Sequence, residues 1–261
     1  MKHMGWAFPL WLLAVSAASA APTDPLAVAA ESYRPFMIKE IERSLDGAKE
    51  LRQRITEKDL AGAEKSWISA RIGWERSEVF TAGFYSELDS EIDTWPNATL
   101  GFHAIEAKLF GAHEVDVGAE TDALIFHLND LSIKIRDTRL TAEGLLEGTA
   151  RLAYEVGESK ADGGESRFSG TSLDDMRNNV DGIDLAYRTI FAPTLGDRDA
   201  KLAARVEGQI GHLKSLLASA DLKSLDAQAL RAGSEDLVVS LQDTATALGL
   251  RRPTLEDLSQ R

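Results

Sequence analysis

The stretch GFHAIEAKLFG, residues 101–111, sets two ionisable side chains into an otherwise apolar helical pattern. Phe102 and Ile105 belong to a set of apolar residues at the spacing of one buried helix face. His103 and Glu106 lie one turn apart on the same helix. A pair of this kind is usually a core histidine with a single hydrogen bond. It becomes a candidate binding site only if other polar groups converge on it.

A second pair of ionisable residues occurs in SWISARIGWERSEVF, residues 66–80. Glu75 and Glu78 are one turn apart and share their side of the predicted helix with Trp67 and Trp74. Nearby arginines would also suit two glutamates on a surface helix. Two glutamates on a tryptophan-lined face are less easily explained in that way, and they favour a buried role.

The two pairs can meet, because consecutive helices joined by a short link pack antiparallel. Buried carboxylates that lie together need a cation, since like charges otherwise force protonation. Carboxylate oxygen with imidazole nitrogen suits iron, manganese or zinc. The link ELDSEID, residues 87–93, adds further acids, one of which could close over the ion. A second candidate, HLND at 127–130, is more typical of a surface face.

The composition limits the classes of function. The chain of 261 residues carries a formal net charge of −13 and has no cysteine. So acidic a protein repels nucleic acid and anionic membranes and is suited to cations or neutral ligands. Disulfides, thiol nucleophiles and thiolate metal sites are excluded, so any metal must be held by oxygen and imidazole. The sequence also lacks HExxH, a phosphate-binding glycine loop and a nucleophile elbow.

The first twenty residues have the pattern of a secretory signal peptide. Lys2 gives a basic start, residues 6–15 are apolar, and Ala18 and Ala20 are the small residues that precede a cleavage site. We expect cleavage after Ala20, which leaves a mature chain of 21–261. An uncleaved membrane anchor is the alternative, but the apolar run is short of the roughly 20 residues that span a bilayer. No cysteine follows the predicted cut, so no lipid anchor is expected.

Helical periodicity runs through nearly all of the remaining chain, and strand patterns are scarce. Helices are predicted at about 34–56, 59–84, 98–111, 120–137, 141–159, 172–193, 198–219 and 225–248. Asp59 and Thr141 suit N-caps, and Ser172 with Asp175 suggests a capping arrangement. The glycine-rich stretch KADGGESRFSG, residues 160–170, predicts a loop. The predicted fold is all-α, as two packed four-helix bundles at about 25–137 and 141–250.

Several blocks together resemble the imelysin-like family, and within it the EfeO/EfeM group of periplasmic iron-uptake proteins. GFHAIE fits the Gly-x-His-x-x-Glu motif, and WERSEVF is similar to a segment that carries the group's paired glutamates. ELDSEID resembles an Asp-Leu-Asp-x-x-Ile-Asp stretch, which places Asp93 on its last aspartate. ESKADGGESRFSGTSLDDMRNNVDGI, residues 158–183, is similar to a further block. The cupredoxin-like domain of the longer members is not found, so the resemblance is to the short form.

The resemblance implies an exported helical protein that binds a metal ion and passes it to an inner-membrane permease with other uptake components. Iron is the expected ion, with zinc, manganese or copper as alternatives. The expected ligands are Glu75, Glu78, His103 and Glu106, with Asp93 as a fifth. The expectation is of a binding protein and not an enzyme. A metallopeptidase of the imelysin type and a metal-dependent polysaccharide-binding protein are the alternatives.

The ordinary pKa of histidine adds an expectation about acidity. His103 can bind a metal only as neutral imidazole, and an unperturbed histidine has a pKa of about 6.5. On that basis metal affinity should weaken below about pH 6.

Overall fold

A computed structural model describes residues 24–96 and 98–259. The predicted signal peptide, its cleavage site and the mature N-terminus at Ala21 lie outside the described residues. Within them the chain is helical and contains no strand, which confirms the all-α prediction. The helices are α1 (Pro25–Thr56), α2 (Leu60–Phe84), α3 (Ser86–Asp93), α4 (Gly101–Glu106), α5 (Gly118–Asp137), α6 (Ala142–Glu155), α7 (Ser172–Ala186), α8 (Ala192–Arg198), α9 (Ala200–Leu217), α10 (Ala227–Leu248) and α11 (Leu255–Ser259).

Wider π-helical turns continue three of these helices. They follow α4, α6 and α7 directly and cover Ala107–Ala112, Val156–Lys160 and Tyr187–Phe191. Such turns are rare and are often found at functional sites. Two of them border the polar cluster described below, since one follows His103 and the other ends at Lys160.

Helix α2 lies at the centre of the packing. It contacts α1 on one side and both α6 and α7 on the other. A glycine allows the close approach to α6, because a Cβ at Gly148 would overlap the carbonyl oxygen of Val79. The side chains of α2 are therefore buried on several faces, and this explains how Arg71, Glu75 and Glu78 all come to lie inside the protein.

The helices pack in two sets. In the first, α1 contacts α2 and α5, and α5 contacts α4; in the second, α10 contacts α6 and α9, and α7 contacts both of these. One cluster of buried apolar side chains continues through both sets. The boundary between two bundles at about residues 137–141 stays a prediction. None of the described helices is both long and apolar enough to cross a bilayer.

The predicted N-caps are confirmed for two helices. Asp59 accepts a hydrogen bond from the amide of Gly62 at 2.9 Å, and Thr141 accepts one from the amide of Gly144 at 3.1 Å. The capping arrangement predicted for Ser172 was wrong. Asp175 instead turns inward, where its carboxylate accepts a hydrogen bond from the Ser166 hydroxyl at 2.6 Å.

Several predicted boundaries also differ from the structure. Helix α1 begins at Pro25 and not near residue 34, because Asp24 caps it and proline is tolerated in a first turn. The acidic link is itself a helix, α3, whose apolar side chains Leu88 and Ile92 are buried. The helical path expected to stop near Pro193 continues to Arg198, since Pro193 falls in the first turn of α8, where no amide hydrogen bond is lost.

Candidate metal centre

His103 stands at the middle of a buried polar cluster. Its Nδ1 lies 3.0 Å from Glu106 Oε2, one turn further along α4. Its Nε2 lies 3.2 Å from Asp93 Oδ1 and 3.6 Å from Glu165 Oε1. Among the described residues, no group is aligned to form a hydrogen bond with Nε2. A proton on Nδ1, held by Glu106, would leave the Nε2 lone pair facing the two other carboxylates.

Three ligand atoms therefore converge from three separate elements. One oxygen each of Asp93 and Glu165 and one ring nitrogen of His103 all lie within 4.8 Å of one another. Asp93 ends α3, His103 lies in the first turn of α4, and Glu165 belongs to the loop after α6. We call these three residues the triad. Nitrogen and oxygen donors at this spacing could close on a metal ion with only small side-chain movements, because metal–ligand bonds are about 2.0–2.2 Å.

The structure places the five predicted ligands in different parts of the cluster. Asp93 and His103 belong to the triad, and Glu106 contacts the other ring nitrogen of the histidine, Nδ1. Glu75 and Glu78 contact Lys160, which in turn lies near Glu165. Glu165 was not predicted. Its only signal in the sequence was its position, as an acid inside the glycine-rich loop and inside a block that resembles the family.

Asp93 is held in place by two donors from α2. Its carboxylate forms an ion pair with Arg71 and accepts a hydrogen bond from Trp74 Nε1 at 2.8 Å. Burial would raise the pKa of Asp93, but Arg71 and His103 outweigh that effect and hold it well below its ordinary value. Asp93 is therefore ionised and available as an anionic ligand throughout the physiological range.

Glu106 orients the imidazole and also anchors the loop that carries Glu165. Its Oε1 accepts hydrogen bonds from the amides of Phe168 and Ser169 at 3.0 and 2.9 Å and from the Ser169 hydroxyl at 2.8 Å. Burial would raise the pKa of Glu106, but His103 and the Ser169 donors lower it overall. One carboxylate thus positions two members of the triad.

Glu75 and Glu78 face a buried lysine. Lys160 Nζ lies 2.9 Å from Glu75 Oε2 and 3.5 Å from Glu78 Oε2. Asn179 Nδ2 donates to the same two oxygens at 2.6 and 2.8 Å. Burial raises the pKa of Glu75 to about 7, against the opposing effect of Arg71 and Lys160. Burial also raises the pKa of Glu78 well above its ordinary value. Lys160 Nζ is also 3.6 Å from Glu165 Oε1, which links the glutamate pair to the triad.

The same carboxylates change the acidity of the histidine. Burial alone would lower the pKa of His103, but Asp93, Glu106 and Glu165 outweigh it and hold that pKa well above its ordinary value. The expectation that metal affinity weakens below about pH 6 assumed a histidine with its ordinary pKa. In this environment proton competition with a metal at Nε2 extends to higher pH.

A half-open cavity of about 190 Å³ adjoins the triad. Asp93 and Glu165 of the triad form part of its wall, together with Glu78 and Lys160. Five acidic side chains line this cavity against two basic ones, Arg151 and Lys160, so the wall favours a cation. Two of the three triad residues, Asp93 and Glu165, thus face a cavity that is partly open to solvent.

The helical fold and the buried cluster of one histidine with several carboxylates characterise a class of proteins. The sequence comparison identifies the family. The sequence model of the Imelysin family, peptidase M75, matches residues 29–99 and 97–249, so the chain belongs to this family.

Its relatives include components of iron uptake. The chain is 27% identical over 221 residues to the iron uptake system component EfeM of Pseudomonas syringae pv. syringae, covering 80% of this chain and 77% of that protein. It is 30% identical to the iron uptake system component EfeO of Yersinia pseudotuberculosis, covering 80% and 59% respectively. An Efem/EfeO family lipoprotein of Staphylococcus haemolyticus is 28% identical, with 72% and 69% covered.

A solved structure supports the fold. The iron-regulated protein A precursor of Parabacteroides distasonis superposes with a TM-score of 0.71 at 16% sequence identity. The match covers 88% of this chain and 97% of that one. The two proteins therefore share the all-α architecture along nearly their whole length.

Proposed function

We propose that this protein is the periplasmic iron-binding component of an iron uptake system and that Asp93, His103 and Glu165 hold the ion. The observation that carries the proposal is the environment of His103 Nε2, which faces two carboxylate oxygens at 3.2 and 3.6 Å. The carboxylate of Glu106 behind Nδ1 is the arrangement that usually fixes a metal-binding histidine.

Iron is the cargo that this donor set and the named relatives favour. Carboxylate oxygen with one imidazole is a suitable environment for iron and excludes ions that require thiolate. Zinc, manganese and copper are the competing ions. Release to an inner-membrane permease follows from the proposed uptake role, and export by the predicted signal peptide would put the protein in the periplasm.

The test is metal binding by the mature chain and by triad variants. Protein purified from the periplasm without chelators should contain iron by elemental analysis, and apo-protein titrated anaerobically with Fe²⁺ should bind it with loss of tryptophan fluorescence, because Trp74 donates to Asp93. His103→Ala, Asp93→Asn and Glu165→Gln should each weaken binding at least tenfold.

A matched histidine lies at the surface. His127 Nδ1 is 2.9 Å from Glu91 Oε2, which repeats the histidine–glutamate pair away from the triad. His127→Ala should bind iron as the wild type does. Unchanged iron affinity in His103→Ala would exclude the triad as the site.

A metallopeptidase is the second candidate, favoured by the family's name and by the cavity beside the triad. A peptidase needs a metal-bound water and a nearby base. Incubation of the metal-loaded protein with a mixed peptide library, followed by mass spectrometry, separates the two functions. Cleavage that disappears in His103→Ala would favour the peptidase.

A further inference from the structure

Lys160 is a buried cation that the triad does not include. It lies at the end of the π-helical turn after α6 and is 2% exposed. A lysine is almost never buried to this extent unless its charge is paired. The partners of Nζ are Glu75, Glu78 and Glu165, at 2.9, 3.5 and 3.6 Å. The ammonium therefore occupies a position that is surrounded by carboxylate oxygens.

One carboxylate oxygen joins this position to the triad. Glu165 Oε1 is 3.6 Å from Lys160 Nζ and also 3.6 Å from His103 Nε2. In two-metal sites the ions are about 3.5–4 Å apart. Helical bundles build such sites from glutamates and a histidine one turn from a glutamate. The cluster has the donor pattern of a two-ion centre, with an ammonium in one of the two positions.

Glu165 also carries a second carboxylate oxygen that neither the triad nor the lysine uses. Glu165 is nine-tenths buried, and its Oε2 has no hydrogen-bond partner among the described residues. The side chain lines the cavity next to Lys160 and Glu78. A carboxylate with one oxygen shared and the other unpaired has the capacity to bind a second cation.

We propose that Lys160 limits the centre to a single metal ion by holding its ammonium where a second ion would otherwise bind, between Glu75, Glu78 and Glu165. This inference rests on the proposed function for the first ion, at His103. Lys160 is in this sense a residue that determines how many ions the protein carries. Its side chain is a tethered counter-ion that neutralises the glutamate pair of α2 without taking up free metal.

The test is the number of ions bound when the ammonium is removed. Lys160→Met keeps an unbranched side chain, one atom shorter, and deletes its charge. Anaerobic titration calorimetry with Mn²⁺, with elemental analysis after desalting, should give one ion per chain for the wild type and two for Lys160→Met. Two Mn²⁺ ions that share the Glu165 carboxylate should also give an exchange-coupled EPR spectrum, which a second ion at the surface would not.

Further variants control for folding and for charge. Lys160→Gln keeps a hydrogen-bond donor without the charge and should also bind two ions. Lys160→Met with Glu75→Gln removes one cation and one carboxylate together and should return to one. The matched surface variant is Lys214→Met, since Lys214 Nζ likewise contacts two carboxylates, at 2.9 and 2.7 Å, but is 39% exposed; it should bind one ion.

A double variant separates this inference from the proposed function. Lys160→Met with His103→Ala lacks the histidine ligand and should bind one ion, at the position that the ammonium leaves. If the wild type binds no metal and this double variant binds one, the proposed function fails while the assignment of the Lys160 position holds. Two ions in the wild type, or a folded Lys160→Met and Lys160→Gln that bind no additional ion, would overturn the assignment.

Discussion

Both ring nitrogens of His103 face carboxylates, and these carboxylates have different roles. Glu106 contacts Nδ1, while Asp93 and Glu165 face Nε2. When a metal ion displaces the proton from Nε2, the carboxylate at Nδ1 keeps the remaining proton there and so favours the tautomer that binds through Nε2. The side chain behind the ring therefore decides whether the front of the ring can bind a cation.

Replacement of Glu106 by glutamine should weaken metal binding without removing a proposed ligand. The amide of Glu106→Gln can donate to Nδ1, which moves the imidazole proton to Nε2 and removes the lone pair that a metal needs. Loss of such a supporting contact typically lowers metal affinity about 10–100-fold. Titration calorimetry of the variant with Fe²⁺ measures the change.

The control for this substitution is Glu91→Gln, which alters the equivalent contact of His127 at the surface. It should bind iron with wild-type affinity. Wild-type affinity in Glu106→Gln would show that the contact with Nδ1 does not control the tautomer.

Among the helices, the meeting of α3 with α4 determines the distance between Asp93 and His103. Gly101 opens α4 with a φ of +71°, a backbone conformation that favours glycine. A Cβ at this position would overlap the carbonyl oxygen of Ile92, next to Asp93. The first residue of the Gly-x-His-x-x-Glu motif is thus a glycine because two helix ends touch there.

Gly101→Ala should destabilise the protein and separate two members of the triad. The left-handed conformation costs a non-glycine residue about 1–2 kcal/mol, and relief of the overlap requires α4 to move away from α3. We expect a lower melting temperature together with a weaker affinity for Fe²⁺, measured by thermal denaturation and by titration.

Gly211→Ala is the matched control, because a Cβ at Gly211, inside α9, would meet no atom within 4 Å. Alanine in a helix interior is better than glycine by roughly 0.5–1 kcal/mol, so this variant should melt slightly higher and bind iron normally. If Gly101→Ala keeps full iron affinity, the approach of α3 to α4 does not set the geometry of the centre.

At the scale of the whole molecule, buried carboxylates divide into two groups by their acidity. Burial raises the pKa of Glu75 and of Asp89 to about 7, although Arg71 and Lys160 oppose the effect at Glu75 and Arg151 opposes it at Asp89. Burial also acts on Asp93, Glu106 and Glu165, but cationic and hydrogen-bonding partners lower the pKa of each. Near neutral pH the first group is partly protonated in the folded protein, and the second is ionised.

The metal-free protein should therefore lose stability as the pH rises from about 5 to 8. In this window the folded state retains protons on Glu75 and Asp89 that the unfolded chain, with carboxyl pKa values near 4, has already released. The raised pKa of His103 acts in the same direction above about pH 6.5. Since the folded state binds more protons, the free energy of unfolding falls with pH.

Thermal denaturation of apo-protein across this range measures the effect, at roughly 2–4 °C for each kcal/mol in a chain of this size. The contribution of Asp93, Glu106 and Glu165 disappears only on acidification below about pH 4, so it does not mask the trend. Asp89→Asn should flatten the curve. A melting temperature that stays constant or rises between pH 5 and 8 would contradict the assigned directions.

Local sequence determined which residues form helices and which side chains share a turn. Apolar spacing predicted most of the helices, and the caps at Asp59 and Thr141 are in place because a cap depends on only a few neighbouring residues. The pairing of His103 with Glu106 also follows from helical geometry. Periodicity did not predict α3, because half of that short helix is acidic. It also did not predict that the helical path continues through Pro193, because this depends on the turn that precedes the proline.

Only the tertiary structure decided which charges face one another. Lys160 reaches the centre from the π-helical turn after α6, and Glu165 from the loop that follows this turn. Arg71 turns inward because α2 is covered by several neighbouring helices. These contacts join residues far apart in the chain, so neither helical period nor motif spacing contains them. The sequence alone thus specified a histidine and acids able to bind a cation. Long-range packing decided that Asp93 and Glu165 face the histidine while a lysine neutralises Glu75 and Glu78.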